Sequence, residues 1–311
     1  MSISKVSGIA WDDISKIDGV NASSISKVSS VEVPSDLILD TYTGATAAYS
    51  FRKLRSGYSG NCIKVRNDSG TELDIGFVND YLDTSTLSTH CGSGGGQIVL
   101  WYDQSGNSRD ASQSTVSMMP TIFSSGSLVQ VNSKAAASFD GGDRLMTAST
   151  QLHTGSFYCT CVVQSPSAIG NEQILSQDDP SSTPTPRVRI AQYLRTRGAS
   201  SSARIVVFNT SENPFGDDST SIATTSQVQI SSYATSTGTI ESFDNSATNG
   251  SSSYTGTLKT GSDPAAIGGS SADTITAGFN GHIQEILFWD GDQSSSRSSI
   301  ESDVDTYYSI P

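Results

Sequence analysis

Trp101-Tyr102-Asp103-Gln104-Ser105-Gly106-Asn107 is the stretch from which the fold can be read. An apolar run, Ile98 to Tyr102, empties there into a polar turn, the signature of a β-strand leaving a core. Trp101 is expected inside. Asp103, Gln104 and Asn107 are expected to fix the turn with their side chains, because Asx-type residues hydrogen-bond nearby backbone.

Working outward, short apolar runs of the same kind recur. Towards the N-terminus, Thr84 to Gly96 reads as a long loop with a glycine run, and Asn61 to Asn67 and Ala47 to Leu54 read as two strands of one hairpin. Ile63 and Val65 alternate with Lys64 and Arg66, as in a sheet with one wet face. Asn67-Asp68-Ser69-Gly70 is a turn by composition. The glycines before Gln97 are no phosphate loop, because no Lys-Ser/Thr follows and no helix starts there. Towards the C-terminus, strands are expected at Ala135–Phe139, Ser156–Val163, Gln173–Ser176, Val188–Tyr193, Arg204–Phe208, Val228–Tyr233, Ile240–Phe243, Tyr254–Leu258, Ala265–Gly268 and His282–Trp289. Ser211 to Ser226 and Asn245 to Ser253 lack alternation and read as exposed loops. Ile300, Val304 and Tyr307 or Tyr308 recur at helical spacing, with Ser298 and Glu301 as a capping box, so one short helix closes the chain. Only 16% of the residues are charged, which suits many strands joined by polar turns. The fold class expected is all-β: a two-sheet jelly-roll sandwich with an N-terminal repeat arm and a short C-terminal helix.

The arm is an internal repeat. Ile3-Ser4-Lys5-Val6-Ser7-Gly8-Ile9, Ile14-Ser15-Lys16-Ile17-Asp18-Gly19-Val20 and Ile25-Ser26-Lys27-Val28-Ser29-Ser30-Val31 follow one another at 11-residue spacing (14−3, 25−14). Each unit reads as a short half-buried strand before a turn, and three such strands do not make a core alone. The expected division is 1–40 for the arm and 41–311 for the sandwich, with Pro34 to Thr43 as the linker. Ile3, Val6, Trp11, Ile14, Ile17, Ile25 and Val28 form the apolar set that needs a partner surface, on the sandwich itself or on another subunit. Trp11 is the best interface anchor among them.

Eighteen Lys and Arg against thirty-one Asp and Glu leave a net charge of −13, which repels nucleic acid and anionic membrane. No stretch has the roughly 18 apolar residues of a membrane span. Met1 to Gly19 has no signal-peptide core, so Sec export is not expected. Cys62, Cys91, Cys159 and Cys161 are too few and irregular for a disulfide framework. Cys159 and Cys161 share a strand face yet are poorly placed to bond each other, and all four are expected as buried thiols.

At this point a family resemblance enters. Ala48-Tyr49-Ser50-Phe51-Arg52-Lys53-Leu54-Arg55-Ser56-Gly57-Tyr58-Ser59-Gly60, Ile63-Lys64-Val65-Arg66 and Trp101 to Asn107 resemble the opening of the α-L-arabinofuranosidase B catalytic domain. Ala137-Ser138-Phe139-Asp140-Gly141, Ala266-Ile267-Gly268-Gly269 and Phe279-Asn280-Gly281-His282-Ile283-Gln284-Glu285-Ile286 are similar to concanavalin A-like (LamG-like) lectin and glucanase sandwiches. The resemblance runs from Thr43 to the end. Such modules recur in tailed-phage structural proteins, and the repeat arm is similar to arms on phage virion proteins.

The resemblance implies a Glu-Asn nucleophile, which Glu212-Asn213 matches, and an acid directly after the Ile-Gly-Gly turn, where this chain has Ser270. A serine hydroxyl holds its proton too tightly to be that acid. Asp273 is the nearest carboxylate, and the family's adjacent cysteine pair is also missing. Glu212 is therefore a vestigial catalytic candidate and no catalysis is expected, since a glycosidase needs two carboxylates placed together. Ligand-binding candidates are Tyr58 and Tyr193, near strand ends where a ring stacks on sugar, with Asn213, Asp217, Asp218 and Asp273. Tyr81 and Tyr254 share that context, although a half-buried structural ring is the ordinary role. Asp178-Asp179 and Asp217-Asp218 are loop carboxylate pairs of the kind that bind Ca²⁺, but such a site needs several more convergent oxygens, so they are expected in solvated turns. No metal or cofactor is expected, and His90-Cys91 and His153 offer no zinc set.

The function expected is an exterior structural protein of a tailed-phage virion, a capsid decoration or a tail or fibre component. Its arm would dock to other virion proteins, as a homo-oligomer, and its sandwich would bind host-surface glycans. The alternative is an arabinofuranosidase-like hydrolase or a free carbohydrate-binding module.

Overall fold

The computed structural model describes residues 37–164, 171–179, 187–197, 200–218, 226–271 and 278–310, together with six two-residue strands between residues 5 and 32. The sandwich strands run in order as β1 Ala45–Ser50, β2 Ile63–Asn67, β3 Glu72–Ile75, β4 Gly96–Trp101, β5 Ala111–Ser112, β6 Thr121–Ser124, β7 Ala137–Asp140, β8 Leu145–Thr147 and β9 Phe157–Gln164. They continue as β10 Asn171–Asp179, β11 Arg187–Arg197, β12 Ser200–Phe208, β13 Pro214–Asp218, β14 Val228–Ala234, β15 Thr239–Asp244, β16 Ala247–Ser253, β17 Ala265–Ile267 and β18 Asn280–Asp290. Three helices accompany them: α1 Ile38–Thr41, α2 Thr84–Cys91 and α3 Arg297–Tyr308.

The antiparallel pairings resolve into two layers. One runs β16-β15-β14-β9-β18, with β18 continuing into β7 along its first half and β1 along its second. The other runs β3-β2-β4-β5-β8-β17-β10-β11-β12-β13. β6 pairs with β4 and with β7, which stitches the layers into a β-sandwich.

Alternation along the central strands explains the packing. Phe157, Cys159, Cys161 and Val163 of β9 join Ile286 and Phe288 of β18 in the core between the layers. Tyr158, Val162, Leu287 and Trp289 point the other way, into a second core roofed by Ile38 and Leu39 of α1 and Ile300, Val304 and Tyr308 of α3. Both faces of β9 and β18 are thus dry, as unbroken apolar runs allow. β4 reaches the same end differently. A register shift between Ile98 and Leu100 inserts an extra residue, so Ile98 and Trp101 both face inward although they are three apart. A bulge re-aims the side chains that follow it.

The turn after Trp101 is held as its residues require. Asp103 accepts from the N–H groups of Ala48, Ser105 and Arg109 and from the Ser105 hydroxyl. Gln104 accepts from Leu54 N and donates to the carbonyls of Ser50 and Arg52, and Asn107 donates to those of Ala45 and Thr46.

Several expectations are corrected. β1 and β2 do not pair: β1 is buried along its whole length and sits beside β18, whereas the half-wet β2 lies between β3 and β4. The loop expected from Thr84 contains α2, capped by Asp83, whose side chain accepts from Thr86 N, with Leu87 and Cys91 buried one turn apart. Within Pro34 to Thr43, α1 replaces a plain linker and is packed into the second core. Pro214–Asp218 is a strand inside the stretch read as loop. Ala247–Ser253 is another, paired to β15 through Asn245 and Ser246, both in the left-handed region at φ 44° and 65°. Two such residues make the tight turn that matches strand twist. Tyr254 to Leu258 is not a strand, and only Leu258 forms a bridge, to Asn209. Ser298 lies inside α3, whose N-cap is Ser296 without a side-chain bond, and Glu301 turns inward to Arg297 and Tyr158 instead of capping.

In the arm, each repeat is a minimal hairpin rather than one strand. Val6 pairs with Ile9, Ile17 with Val20 and Val28 with Val31, all antiparallel. Among the described residues each hairpin pairs only within itself. Ile3, Trp11, Ile14 and Ile25 lie outside the described residues.

Candidate functional site

Strand directions bring the family-matched positions to one end of the larger layer. β10 ends at Asp178-Asp179 and β12 at Phe208, with β11 between them, and the β12–β13 turn carries Glu212 and Asn213. Two strand spacings of about 4.8 Å therefore separate the backbones of β10 and β12.

The turn is built around Asn209, which is buried. Its Oδ1 accepts from Ser211 N and Asn213 N, its Nδ2 donates to Thr255 O, and its own carbonyl accepts from Glu212 N. Glu212 takes the left-handed conformation at φ 62°. Its Oε1 is paired with Lys259 Nζ, and its Oε2 is buried with no hydrogen-bond donor among the described residues. A buried acceptor left unpaired costs about 1–3 kcal/mol, and the Glu212 side chain as a whole is 40% exposed, so a small shift would let this oxygen accept an O–H or N–H. Asn213 is exposed beside it. Lys259 is nearly buried and is fixed by its own N–H to Phe208 O.

Ser270 sits over β10. The chain after β17 turns at Gly268, where φ is +85° and a side chain would strike the Phe139 ring. Ser270 Oγ then donates to Asp178 Oδ2 at 2.6 Å, and Ser271 N donates to the same oxygen at 2.8 Å. Asp178 N donates back to Ser271 Oγ, and Arg144 Nη1 donates to Ser270 O. The position expected to hold an acid thus holds a hydroxyl that is itself spent on a buried carboxylate. Nearby Asp143 is pushed up to about 7 by burial and by the charge of Asp140, and its carboxylate accepts from Asp140 N.

The other expected residues do not gather here. Tyr58 donates to Asn61 O and meets Phe77 edge-on in the β1–β2 connection. Tyr193 lies within β11 opposite Gln173 and Arg204. Asp217 and Asp218 are on β13, opposite Ile205 and Arg204, and Asp178-Asp179 ends β10, so both carboxylate pairs belong to strands rather than solvated turns. Asp273 lies outside the described residues. Tyr254 is buried, whereas Tyr81 is half exposed and stacks on Tyr307. Among the described residues no three His, Cys, Asp or Glu side chains converge as a metal set, and no helix is long and apolar enough to cross a membrane. Asn209 and Lys259 were missed as site residues, and Asp178 was weighed only as half of a carboxylate pair. Each acts through a partner 46 to 92 positions away, and no local motif marks them.

Comparison with known proteins follows this geometry. No protein-family model matches the sequence, nor does any curated protein. Among solved structures, a GH54 α-L-arabinofuranosidase soaked with a cyclic sulfate inhibitor is similar with a TM-score of 0.61 at 15% identity, over 86% of this chain and 64% of that one. An arabinofuranosidase complexed with arabinofuranosyl-α-1,2-xylobiose gives 0.59 at 15% identity over the same shares. At this identity the likeness is one of fold, and the chain spans less than two thirds of those enzymes.

Proposed function

We propose that the sandwich is a carbohydrate-binding module that does not hydrolyse its ligand, and that its hairpin arm mounts it on a larger assembly. The carrying observation is Glu212: one oxygen is neutralised by Lys259 and the other is a buried acceptor without a donor, which a sugar hydroxyl would satisfy. Ser270 in the acid's place argues against hydrolysis. The solved neighbour carrying an arabinofuranosyl-xylobiose supports a pentose-containing glycan as ligand class. Binding to arabinoxylan oligosaccharides on a glycan array, lost in Glu212→Ala and Lys259→Ala, is the expected result. Absence of binding to any glycan sinks the reading.

One observation favours a second, hydrolytic reading: Asp178 lies 2.6 Å from Ser270 Oγ and puts a carboxylate next to the vacant acid position. Release of 4-nitrophenol from 4-nitrophenyl α-L-arabinofuranoside, abolished in both Glu212→Gln and Asp178→Asn, would establish it in place of the first.

For the arm, three hairpins of equal period, which among the described residues pair only within themselves, support docking to a repetitive surface. The exterior of a tailed-phage virion, decorated by a homo-oligomer of this chain, is the assembly the arm's resemblance points to. Deleting residues 1–35, which spares the core residues Ile38 and Leu39, is expected to leave the sandwich folded and to abolish oligomers or particle association, read by light scattering and by mass spectrometry of particles. Unchanged assembly of the deletion variant overturns docking.

A further inference from the structure

A separate cavity of about 360 Å³ opens beside the Ser105–Arg109 turn and shares no residue with the Glu212 site. Ser105, Asn107, Arg109, Gln151, Thr154 and Asp290 line it, and no aromatic ring does. Recognition there is by hydrogen bonds rather than by stacking. The volume is at the small end of ligand clefts, about 300–1,000 Å³, and suits one ring rather than a chain.

The polar inventory of this cavity is lopsided. Arg109 is held at its backbone, with its N–H on Asp103 and its carbonyl accepting from the Tyr49 hydroxyl. Its side chain makes no ion pair among the described residues, and its Nη1 is buried without an acceptor. The remaining groups have spent most of their donors and kept acceptors. Asn107 Nδ2 donates to Ala45 O and Thr46 O, which leaves Oδ1. Gln151 Nε2 donates one N–H to His153 O, which leaves Oε1 and one N–H. Asp290 Oδ1 takes the N–H and hydroxyl of Thr154, which leaves Oδ2. A complementary ligand brings several O–H donors and one strong acceptor for a guanidinium. Polyols supply the first and a carboxylate the second, because charge-assisted bonds to Arg are about twice as strong as neutral ones.

We propose that this cavity binds a single carboxylate-bearing sugar ring, with Arg109 on the carboxylate and Asn107, Gln151 and Asp290 accepting from ring hydroxyls. The site is independent of the Glu212 reading and stands or falls without it.

Titration of the full chain with D-galacturonate, D-galactose and acetate by calorimetry or NMR separates the contributions. Saturable galacturonate binding, at least about tenfold tighter than either of the others, is expected. Arg109→Gln should weaken it about tenfold or more with an unchanged thermal melt, and Gln151→Ala about threefold. Galactose binding as tightly overturns the role of the carboxylate, and acetate binding as tightly overturns the sugar. Absence of saturable binding, or a folded Arg109→Gln that binds like the parent, overturns the site. Should Arg109→Gln fail to fold, unchanged affinity in Gln151→Ala overturns it equally.

Discussion

Asp103 shows how much one residue can organise. Its carboxylate serves three backbone N–H groups and one hydroxyl, drawn from β1 and from both sides of its own turn, while only 4% exposed. Asp103→Ala strands those donors, and at about 1–3 kcal/mol for each buried one a loss of roughly 3–5 kcal/mol in urea unfolding is expected. Asp143 gives a pH signature. Folded, it keeps its proton to about pH 7, while the unfolded chain releases it near 4, so the native state binds the extra proton between those values. Its contribution to stability is present below pH 4 and lost as pH rises through 7, a slope worth a few kcal/mol at most. Asp143→Asn should flatten that decline and leave the variant more stable than the parent at pH 8, read from urea midpoints at pH 4.5 and 8. The roles of Asp103, Gln104 and Asn107 were legible because their partners include neighbours in the same turn. Asp178–Ser270 and Glu212–Lys259 were not, because sequence spacing carries no trace of a contact made by sheet register.

Among elements, the clear readings were strands whose apolar residues alternate or run unbroken, such as β9 and β18. Misreadings fell where something other than periodicity decides. α2 is specified by its Asp83 cap and by two buried residues, Leu87 and Cys91, in an otherwise Ser/Thr-rich segment. β16 is a strand of Ser, Thr, Asn and Gly that exists because the Asn245-Ser246 turn folds it back on β15. α3 was found by its spacing, but its seat was not. Arg52 holds Glu285 through two bonds at 2.8 and 2.9 Å, reaches Asp303 of the helix at 2.9 Å, and lies 4.4 Å under the Tyr307 ring. Glu285 is 1% exposed. Arg52→Met leaves that charge buried without a counter-ion, held only by the Ser50 and Tyr308 hydroxyls, and a loss of about 3–5 kcal/mol is expected. The double variant Arg52→Met, Glu285→Leu should recover most of it. Equal losses in the single and double variants would mean that packing, and not charge, seats the helix.

At the scale of the whole molecule, composition and strand count were enough for the β-sandwich, because polar-turn punctuation of short apolar runs leaves few other ways to bury both faces. Which strands neighbour which was not legible, since pairing order depends on chain crossings that no local signal records. The cysteines are a test of the assembled core. All four are buried thiols outside any disulfide, and burial pushes the Cys62, Cys91 and Cys161 thiols up. None should react with Ellman's reagent in the folded protein and all four should after denaturation, with Cys91, at 8% exposure, first as the fold loosens. β18 finally sets a timetable. It is the central strand between β9, β7 and β1, yet Ser50 and Glu285, whose side chains bond, stand 235 residues apart. A ribosome adding about 5–20 residues per second leaves β1 without its neighbour for roughly 12–47 s. Throughout that interval the nascent chain carries a finished first strand and no seam to close it, so the sandwich becomes a sandwich only once β18 has been made.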